Sequence, residues 1–294
     1  MDPFSSPQVV CRPALPSDAA DVLEFTKSIW DGHDYIQYVW QDWLADPRGI
    51  LAVAEYAGHA VGLGKVTCIS PGQWWLEGLR VAPKYQGLKI GSHIFEYLED
   101  WWKQYGGGAI RLMTSWERVE VHHLCERFGW AKLGEVRSYS AAGEAGEGDR
   151  FEAVRGEDIR HAAEFAAAQL GKFNGLMDSG WQFSAPDEAA LREKAEEGRL
   201  YWWTAPGQGL MASWEDGDEG ENVMGIGFAA VQDKVLKDLL VEARRLAHTL
   251  GFARVLWLAP AMSWVEAALT EAGFATDWDG NAYLFGKKDS SAEK

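Results

Sequence analysis

The sequence predicts an α/β fold (a mixed α+β arrangement) in which a mixed, mostly antiparallel sheet carries helices on both faces, and it predicts this fold twice. Amphipathic helices alternate with short apolar strands along the first half of the chain, and the same order of elements returns in the second half. A Gly-rich, acidic segment at 141–150 separates the copies. We therefore predict a first domain at 9–140, a linker at 141–150, a second domain at 151–288 and a flexible tail at 289–294.

The first copy begins with two helices and a hairpin. Residues 17–25 form a capped amphipathic pattern, and Tyr35, Val39 and Trp43 recur at helical spacing in the segment that follows. A pair of apolar strands then turns at Ala57 and Gly58, which predicts a hairpin.

A strand–helix–strand unit completes the first copy. Residues 74–82 read as a strand, 91–105 as a helix, and a further strand starts near Ile110 after a stop of three glycines. Antiparallel strands followed by such a unit predict the mixed sheet.

The second copy repeats these elements. The helix at 17–25 has its counterpart at 157–165, the apolar strand at Ile110 matches one at Arg254, and the helix that ends at Gly129 matches one that ends at Gly273. This pattern predicts an internal duplication.

Length and composition limit the functional classes. The 294 residues are 47% apolar, which is enough for two cores without disulfides. The three cysteines are far apart and odd in number, and this argues against a disulfide framework or a metal site built on cysteines. Neither a stretch of ~20 apolar residues nor a signal-peptide pattern is visible. We expect a cytoplasmic monomer or homodimer that does not bind membranes.

Charge and aromatic content point to a small ligand. A net charge of −16 argues against binding to nucleic acid, which requires a basic surface, and it favours neutral or cationic substrates. The 16 tryptophans indicate either an aromatic-lined pocket or dense core packing.

The stretch at 81–91, VAPKYQGLKIG, is a strand that runs through a glycine-containing turn into a helix. The first turn of a helix presents unpaired N–H groups and the positive end of the dipole, so it can bind a pyrophosphate without much side-chain charge. Gly87 and Gly91 allow a ligand close to the backbone, and Ser92 adds a hydroxyl. The nucleotide P-loop is excluded because it requires a lysine directly before the serine, and Gly91 precedes Ser92 here.

This stretch resembles the acetyl-CoA signature of the GNAT (Gcn5-related) N-acetyltransferase superfamily, Gln/Arg-x-x-Gly-x-Gly/Ala. Gln86 and Gly91 match the outer positions, whereas Lys89 stands where the first glycine belongs. The resemblance covers about residues 9–140 and implies acetyl-CoA as cosubstrate. It places the following residues on the cofactor: Leu79, Arg80, Val81, Gln86, Gly87, Leu88, Lys89, Ile90, Gly91 and Ser92. We interpret Lys89 as a tolerated substitution that could also supply charge to a CoA phosphate.

The resemblance also implies catalytic residues. Glu77 lies where many of these enzymes carry the glutamate that takes the proton of the amine, and we predict this role for it over that of a solvated surface charge. The usual tyrosine acid is missing from the Leu-Tyr-Glu run, which reads Leu124, Cys125, Glu126 here. Cys125 is either the acid or a small core cysteine.

Substrate selection in this fold comes from the first two helices. Trp30, His33, Asp34 and Tyr35 combine aromatic rings with a carboxylate, which suits a cationic head group. The alternative is a tryptophan-rich core between the helices. The segment also resembles, over a short stretch, the histidine N-acetyltransferases of vertebrates. We therefore expect a small-molecule amine or amino acid as acceptor.

The second copy lacks this chemistry. Aligned through Ile110 and Arg254 without gaps, residues 229–236 (AAVQDKVL) fall opposite YQGLKIGS, so the glycines are gone and Asp233 lies where a phosphate would approach. We predict a degenerate GNAT repeat that does not bind CoA. The leading hypothesis is an N-acetyltransferase that acts by direct transfer in a ternary complex, and the rival is an acyl-CoA-binding sensor without turnover.

Overall fold

The computed structural model describes residues 8–171, 174–204, 207–216 and 222–289. The chain divides into two compact units, each of which is described by itself. The first unit contains the chain up to Leu112, together with Val119–Ala131 and the residues from Gly286 onward. The second contains Met113–Arg118 and Lys132–Phe285.

The first unit is a sheet covered by four helices. Its strands, in chain order, are β1 (Val10–Pro13), β2 (Ile50–Tyr56), β3 (His59–Ser70), β4 (Gln73–Val81) and β5 (Ala109–Ser115, which ends in the second unit). Its helices are α1 (Ala19–Thr26), α2 (Ile36–Ala45), α3 (Ile90–Tyr105) and α4 (Val119–Arg127). The strands follow one another in the order β1-β2-β3-β4-β5, antiparallel except for the parallel pair β4–β5.

Strand β3 shows how the sheet has helices on both faces. Leu63 is buried in a cluster with Val22 of α1 and Ile36 of α2. Its neighbours Gly62 and Gly64 point to the other face, where a Cβ atom would lie 2.8 Å from side-chain atoms of α3. Because successive residues of a strand face opposite sides, α1 and α2 cover one face and α3 the other, as predicted.

The hairpin between β2 and β3 turns at the predicted residues. Ala57 and Gly58 have φ angles of 53° and 82°, which are the positive values that a two-residue turn between twisted strands requires.

The second unit repeats the same succession of elements. Its strands are β6 (Ala131–Ala142), β7 (Phe151–Ala153), β8 (Met177–Asp178), β9 (Phe183–Ser184), β10 (Leu200–Trp203), β11 (Gly209–Asp216), β12 (Val223–Ala230), β13 (Arg254–Pro260), β14 (Ala275–Thr276) and β15 (Ala282–Lys288, which ends in the first unit). Its helices are α5 (Ile159–Leu170), α6 (Glu188–Glu196), α7 (Leu236–Thr249) and α8 (Ser263–Glu271). Six strands follow the order β6-β13-β12-β11-β10-β7, and only β12–β13 is parallel in that series.

The predicted anchors of the duplication correspond in the structure. Strands β5 and β13 are each followed by a short helix, α4 or α8. Each helix is followed by a glycine with positive φ, 72° at Gly129 and 82° at Gly273. Each unit therefore has the predicted combination of mixed strands and helices.

The structure groups the residues differently from the predicted domain ranges. Lys132–Ala142 belong to the second unit, although the sequence placed 132–140 in the first domain and 141–142 in the linker. The predicted linker is held in place: the Gly143 N–H donates to the carbonyl of Ala253, and Glu144 pairs with Arg244 and Arg245. A segment anchored in this way is part of its unit.

The end of the chain is likewise anchored in the first unit as far as it is described. Lys287 Nζ donates to Glu99 Oε1 at 2.7 Å and to the carbonyl of Phe128 at 2.6 Å, and the Asp289 N–H donates to the carbonyl of Gly108. The rest of the predicted tail, 290–294, lies outside the described residues. Within the part of the chain that is described, no helix is long and apolar enough to cross a membrane.

Candidate active site

The turn between β4 and α3 has the positive φ angles that glycine residues favour. Lys89 is the N-cap of α3 and has a left-handed backbone, with φ 59° and ψ 16°. Gly87 also has a positive φ, 84°. The family's glycine at the position of Lys89 is explained by this conformation, since only glycine adopts it without cost. Lys89 adopts this left-handed conformation although it is not a glycine.

The first turn of α3 presents backbone donors. Its hydrogen-bond ladder starts with the His93 N–H, which donates to the carbonyl of Lys89, so the N–H groups of Ile90, Gly91 and Ser92 precede the ladder. The Lys89 side chain makes no capping bond among the contacts of the described residues. An exposed helix start of this kind binds anions through its dipole and its N–H groups.

Strand β4 has one edge that diverges from β5. The two strands pair from Gln73 to Trp75, and within the described chain the register with β5 goes no further. On the other edge, the Ala82 N–H donates to the carbonyl of Val61 in β3. Because backbone groups alternate along a strand, those of Val81 point toward the β5 side. This edge leads to the start of α3.

A β-bulge shapes β4 beside Glu77. Lys65 of β3 lies opposite Glu77, but Leu63 lies opposite Arg80, so β4 has one extra residue in between. Gly78 accounts for it, with φ 66°, and a Cβ atom there would lie 2.5 Å from Cζ3 of Trp43 in α2. Glu77 is partly buried, and its Oε1 accepts a hydrogen bond of 2.7 Å from the hydroxyl of Thr67.

An ion pair between Lys65 of β3 and Asp46, the residue after α2, connects these two elements. Lys65 has no exposed surface, and its Nζ donates to Asp46 Oδ2 at 2.7 Å and to the carbonyl of Val66 at 3.0 Å. Burial alone would raise the pKa of Asp46, but the hydrogen bonds from Lys65 and from the backbone of Arg48 outweigh it, so the pKa is lowered.

A second ion pair occupies the predicted substrate cluster. Arg80 Nε donates to Asp34 Oδ2 at 2.9 Å, and the Asp34 side chain is 1% exposed. The guanidinium carbon of Arg80 lies 4.2 Å from the ring centre of Trp30 and 5.3 Å from that of Tyr35. The aromatic rings and the carboxylate were expected to bind a cationic head group of the substrate, and they hold a cation of the chain itself.

The two remaining candidates lie apart from these contacts. His33 is exposed at the end of the turn that precedes α2, where its N–H donates to the carbonyl of Trp30. Cys125 of α4 is fully buried, and burial raises the pKa of its thiol to about 12. A thiol that holds its proton so tightly is a poor acid for a departing thiolate. The structure therefore favours the core cysteine over the catalytic acid.

Three side chains of this site were missed in the sequence. Arg80 was assigned only a backbone contact, and Lys65 and Thr67 received no role. A charged residue inside an otherwise apolar strand was the available signal for Arg80 and Lys65, since such residues are seldom buried without a partner. Thr67 gave no signal, because threonine is an ordinary strand residue.

Comparison with known proteins shows which family this region is similar to. The model of the acetyltransferase (GNAT) family matches residues 19–130. The human protein "Probable N-acetyltransferase 16" is 26% identical, over 67% of this chain and 60% of that protein. The histidine N-acetyltransferase of Oreochromis niloticus is 28% identical over 85 residues, which are 29% of this chain and 25% of that protein. The chain thus matches less than two thirds of either relative's length.

Solved structures share the fold across both copies. A GCN5-related N-acetyltransferase from Sphaerobacter thermophilus has a TM-score of 0.61 at 16% identity, with 96% of both chains covered. A tandem GNAT protein from the clavulanic acid biosynthesis pathway has a TM-score of 0.54 at 12% identity, with 95% of this chain and 98% of that chain covered. Residues 19–130 thus match the acetyltransferase (GNAT) family, and the chain shares its fold with a tandem GNAT protein.

Proposed function

We propose that this protein is an acetyl-CoA-dependent N-acetyltransferase that transfers an acetyl group to the amine of a small molecule, by direct attack in a ternary complex. One observation carries the proposal. The diverging edge of β4 has Glu77 beside it and leads directly into the exposed start of α3, so one strand–helix unit offers a base and an anion site.

The chain's backbone supplies the cofactor contacts in this proposal. The β4 residues Leu79, Arg80 and Val81 lie along the pantetheine arm, and the turn from Gln86 to Ser92 surrounds the pyrophosphate. The N–H groups at the start of α3 give this site its affinity for an anion despite the acidic chain. The left-handed conformation of Lys89 supports the proposal, because it keeps the turn in the shape that the family's glycine adopts.

Glu77 acts on the amine. When bound, acetyl-CoA supplies an acyl carbon activated as a thioester. The amine nitrogen forms a bond to that carbon, the carbon–sulfur bond breaks, and the proton lost by the amine passes to the Glu77 carboxylate directly or through water. The Thr67 hydroxyl holds that carboxylate in place at 2.7 Å. The departing thiolate takes its proton from solvent, because Cys125 is buried with a raised pKa.

The acceptor is a small molecule in this proposal. The relatives from fish are named for histidine, and the human relative is named for N-acetyl transfer. Small amines and amino acids therefore come first as substrates. The second unit lacks the glycine turn, and we propose that it supports the first unit without binding CoA.

A sensor that binds acyl-CoA without turnover is the second candidate. Two observations from the sequence motivated it: Lys89 in the signature and the missing tyrosine acid. The argument from Lys89 is weakened, because Lys89 adopts the left-handed conformation that a glycine favours. The argument from the missing acid stands, because Cys125 is buried.

Release of free CoA thiol from acetyl-CoA, measured across a panel of amines and amino acids, separates the two candidates. We expect turnover with at least one acceptor, formation of its N-acetyl product and a loss of turnover in Glu77→Gln. A rise in melting temperature with acetyl-CoA, but no product from any acceptor, would support the sensor and overturn the enzyme.

A further inference from the structure

The cations of the two ion pairs, the buried Lys65 and the partly buried Arg80, differ in how well their hydrogen bonds are satisfied. The Lys65 ammonium has both a carboxylate and a carbonyl within 3.0 Å. Arg80 uses Nε on Asp34 and Nη1 on the carbonyl of Leu79, at 3.2 Å. Its Nη2 atom is buried and has no acceptor among the described residues at hydrogen-bond geometry.

An unsatisfied charged donor in a buried position is costly. Leaving such a donor without an acceptor costs about 1–3 kcal/mol or more, and a guanidinium is the side chain whose planar fork matches a carboxylate. The stack on Trp30 and the bond to Asp34 already fix the orientation of this fork, so an incoming acceptor would lose little side-chain entropy.

Arg80 lies close to the base of the proposed function. It follows Glu77 on the same strand, and its Nη1 bonds to Leu79 in the bulged segment that separates them. The Tyr35 hydroxyl is near both: burial raises its pKa, the charge of Arg80 and a side-chain hydrogen bond with Arg80 act against this, and the charges of Glu77 and Asp34 add to it. One small molecule can therefore contact Glu77 and Arg80 together.

We propose that Arg80 binds a carboxylate of the acceptor, so that the acceptor is an α-amino acid whose amino group faces Glu77. This inference rests on the proposed function and names its substrate class. It replaces the expectation of a purely cationic acceptor, because the carboxylate that was to attract a cation is paired with Arg80. In a chain of net charge −16, a fixed local cation is what allows an anionic group to bind.

Trp30 covers the guanidinium and belongs to a strained turn. Trp30 and Asp31 have φ angles of 50° and 53°, values that non-glycine residues seldom adopt and that cost of order 1–3 kcal/mol each. Trp30 is itself 44% exposed. A small displacement of this turn would admit a carboxylate to the buried edge of Arg80.

The test compares acceptors that differ only in the carboxylate. All common L-amino acids are assayed for acetylation, and each one that reacts is then compared with its primary amide and its decarboxylated amine, for example L-histidine with L-histidinamide and histamine. We expect kcat/KM to fall about 10- to 100-fold when the carboxylate is lost, mainly through KM. This comparison uses the wild-type protein alone.

Variants assign the preference to Arg80. Arg80→Met should reduce the preference for the amino acid over its amine to within about threefold, and Arg80→Lys should restore part of it. Arg48→Met is the matched control, since Arg48 is 68% exposed and lies 3.8 Å from Asp46 in the other ion pair. It should leave the preference unchanged.

Each outcome is decisive. Equal kcat/KM for amino acids and their amines in the wild type would overturn the inference and leave the proposed function standing. An equal loss for both acceptors in folded Arg80→Met would also overturn it and make Arg80 a structural anchor of α2. If Arg80→Met does not fold, the wild-type comparison decides. The absence of transfer to any acceptor would overturn the proposed function and this inference with it.

Discussion

The strand–helix units β4–α3 and β12–α7 share the register of their strands but differ in their side chains and in the turn between strand and helix. Trp74 pairs with Ile110 in the first unit, and Val223 pairs with Arg254 in the second, which aligns β12 with β4. Each strand then has a one-residue bulge at the same place. In β12 the extra residue is Gly227, the counterpart of Gly78.

The differences lie in the side chains and in the turn. Ile226 and Ala229 take the places of Glu77 and Arg80, and every residue of β12 is buried. The turn before α7 has five residues, whereas the turn before α3 has eight. Ala229 and Ala230 therefore belong to the strand, although the ungapped alignment had placed them in the turn. The bulge is therefore a packing feature of the fold, whereas the chemistry resides in a few replaceable residues.

The largest effect is expected where the copies differ most, at Glu77. Glu77→Gln removes the base while it keeps the size of the side chain, and we expect kcat at neutral pH to fall about 100-fold or more. The measurement is the rate of acetyl transfer as a function of pH, together with the Kd of CoA from titration calorimetry. The Kd should stay within about threefold, since the α3 turn is unchanged.

Glu96→Gln serves as the control for this variant. Glu96 is an exposed carboxylate on α3 of the same unit, and its loss should leave the rate unchanged. An unchanged pH–rate profile in Glu77→Gln would remove Glu77 from the role of base and make the two copies chemically more alike than proposed.

The shared bulge gives the next effect. Gly78→Ala places a Cβ atom 2.5 Å from the Trp43 ring and gives an L-residue a φ of 66°. We expect the free energy of unfolding to fall by about 2–4 kcal/mol, because the strain of the left-handed backbone adds to the displacement of a tryptophan. Urea unfolding followed by tryptophan fluorescence measures it.

Gly58→Ala isolates the backbone part of that cost. Gly58 has a φ of 82° but open space where its Cβ would lie, so only about 1–2 kcal/mol should be lost. Equal losses at Gly58 and Gly78 would mean that Trp43 yields freely and that the bulge is not fixed by α2.

The elements of both copies were predictable from the sequence because their signals are local. Helical spacing, the turn at Ala57 and Gly58 and the glycines that end α4 and α8 act within a few residues. The shape of the α3 turn was also visible, although the left-handed backbone at Lys89 explains the family glycine only once it is seen. Local chemistry thus fixes the elements and the cofactor turn.

Ion pairs between residues far apart in the sequence could not be predicted in the same way. Arg80 and Asp34 are 46 residues apart, and Glu99 and Lys287 are 188 apart. Each pair forms only because the fold brings distant segments together, and a single sequence contains no signal for which residue will be the partner. A carboxylate among aromatic residues suggests a site for a cation equally well whether that cation is a substrate or an arginine of the chain.

The third prediction concerns the contact that holds Lys287, near the end of the chain, to Glu99 in the first unit. Lys287→Met leaves the carboxylate of Glu99, whose side chain is 1% exposed, without one of its donors, and we expect about 2–3 kcal/mol less stability at pH 7. Burial alone would raise the pKa of Glu99, but its hydrogen bonds to Lys287, Lys103 and Trp130 outweigh this and lower it. The stabilisation is therefore present above the ordinary carboxylate pKa and is lost as the pH falls through the lowered one.

The difference between Lys287→Met and the wild type should accordingly shrink in acid. Unfolding in urea at pH 7 and at pH 3 measures it, with Lys288→Met as the control, because Lys288 is the exposed neighbour on the same strand. A difference that stays constant with pH would show that the ion pair contributes nothing and that the chain end is held to the first unit by packing alone.

The smallest effects are expected at Lys89, where the first copy departs from its family. Lys89→Gly relieves the left-handed backbone and should raise stability by about 1 kcal/mol, whereas Lys89→Ala keeps the strain and should leave stability unchanged. If Lys89 acts through its backbone alone, both variants keep the Kd of CoA within about threefold. A tenfold weaker Kd in both would assign the ammonium to a CoA phosphate, and the first copy would then use a side-chain charge where its relatives use a bare turn.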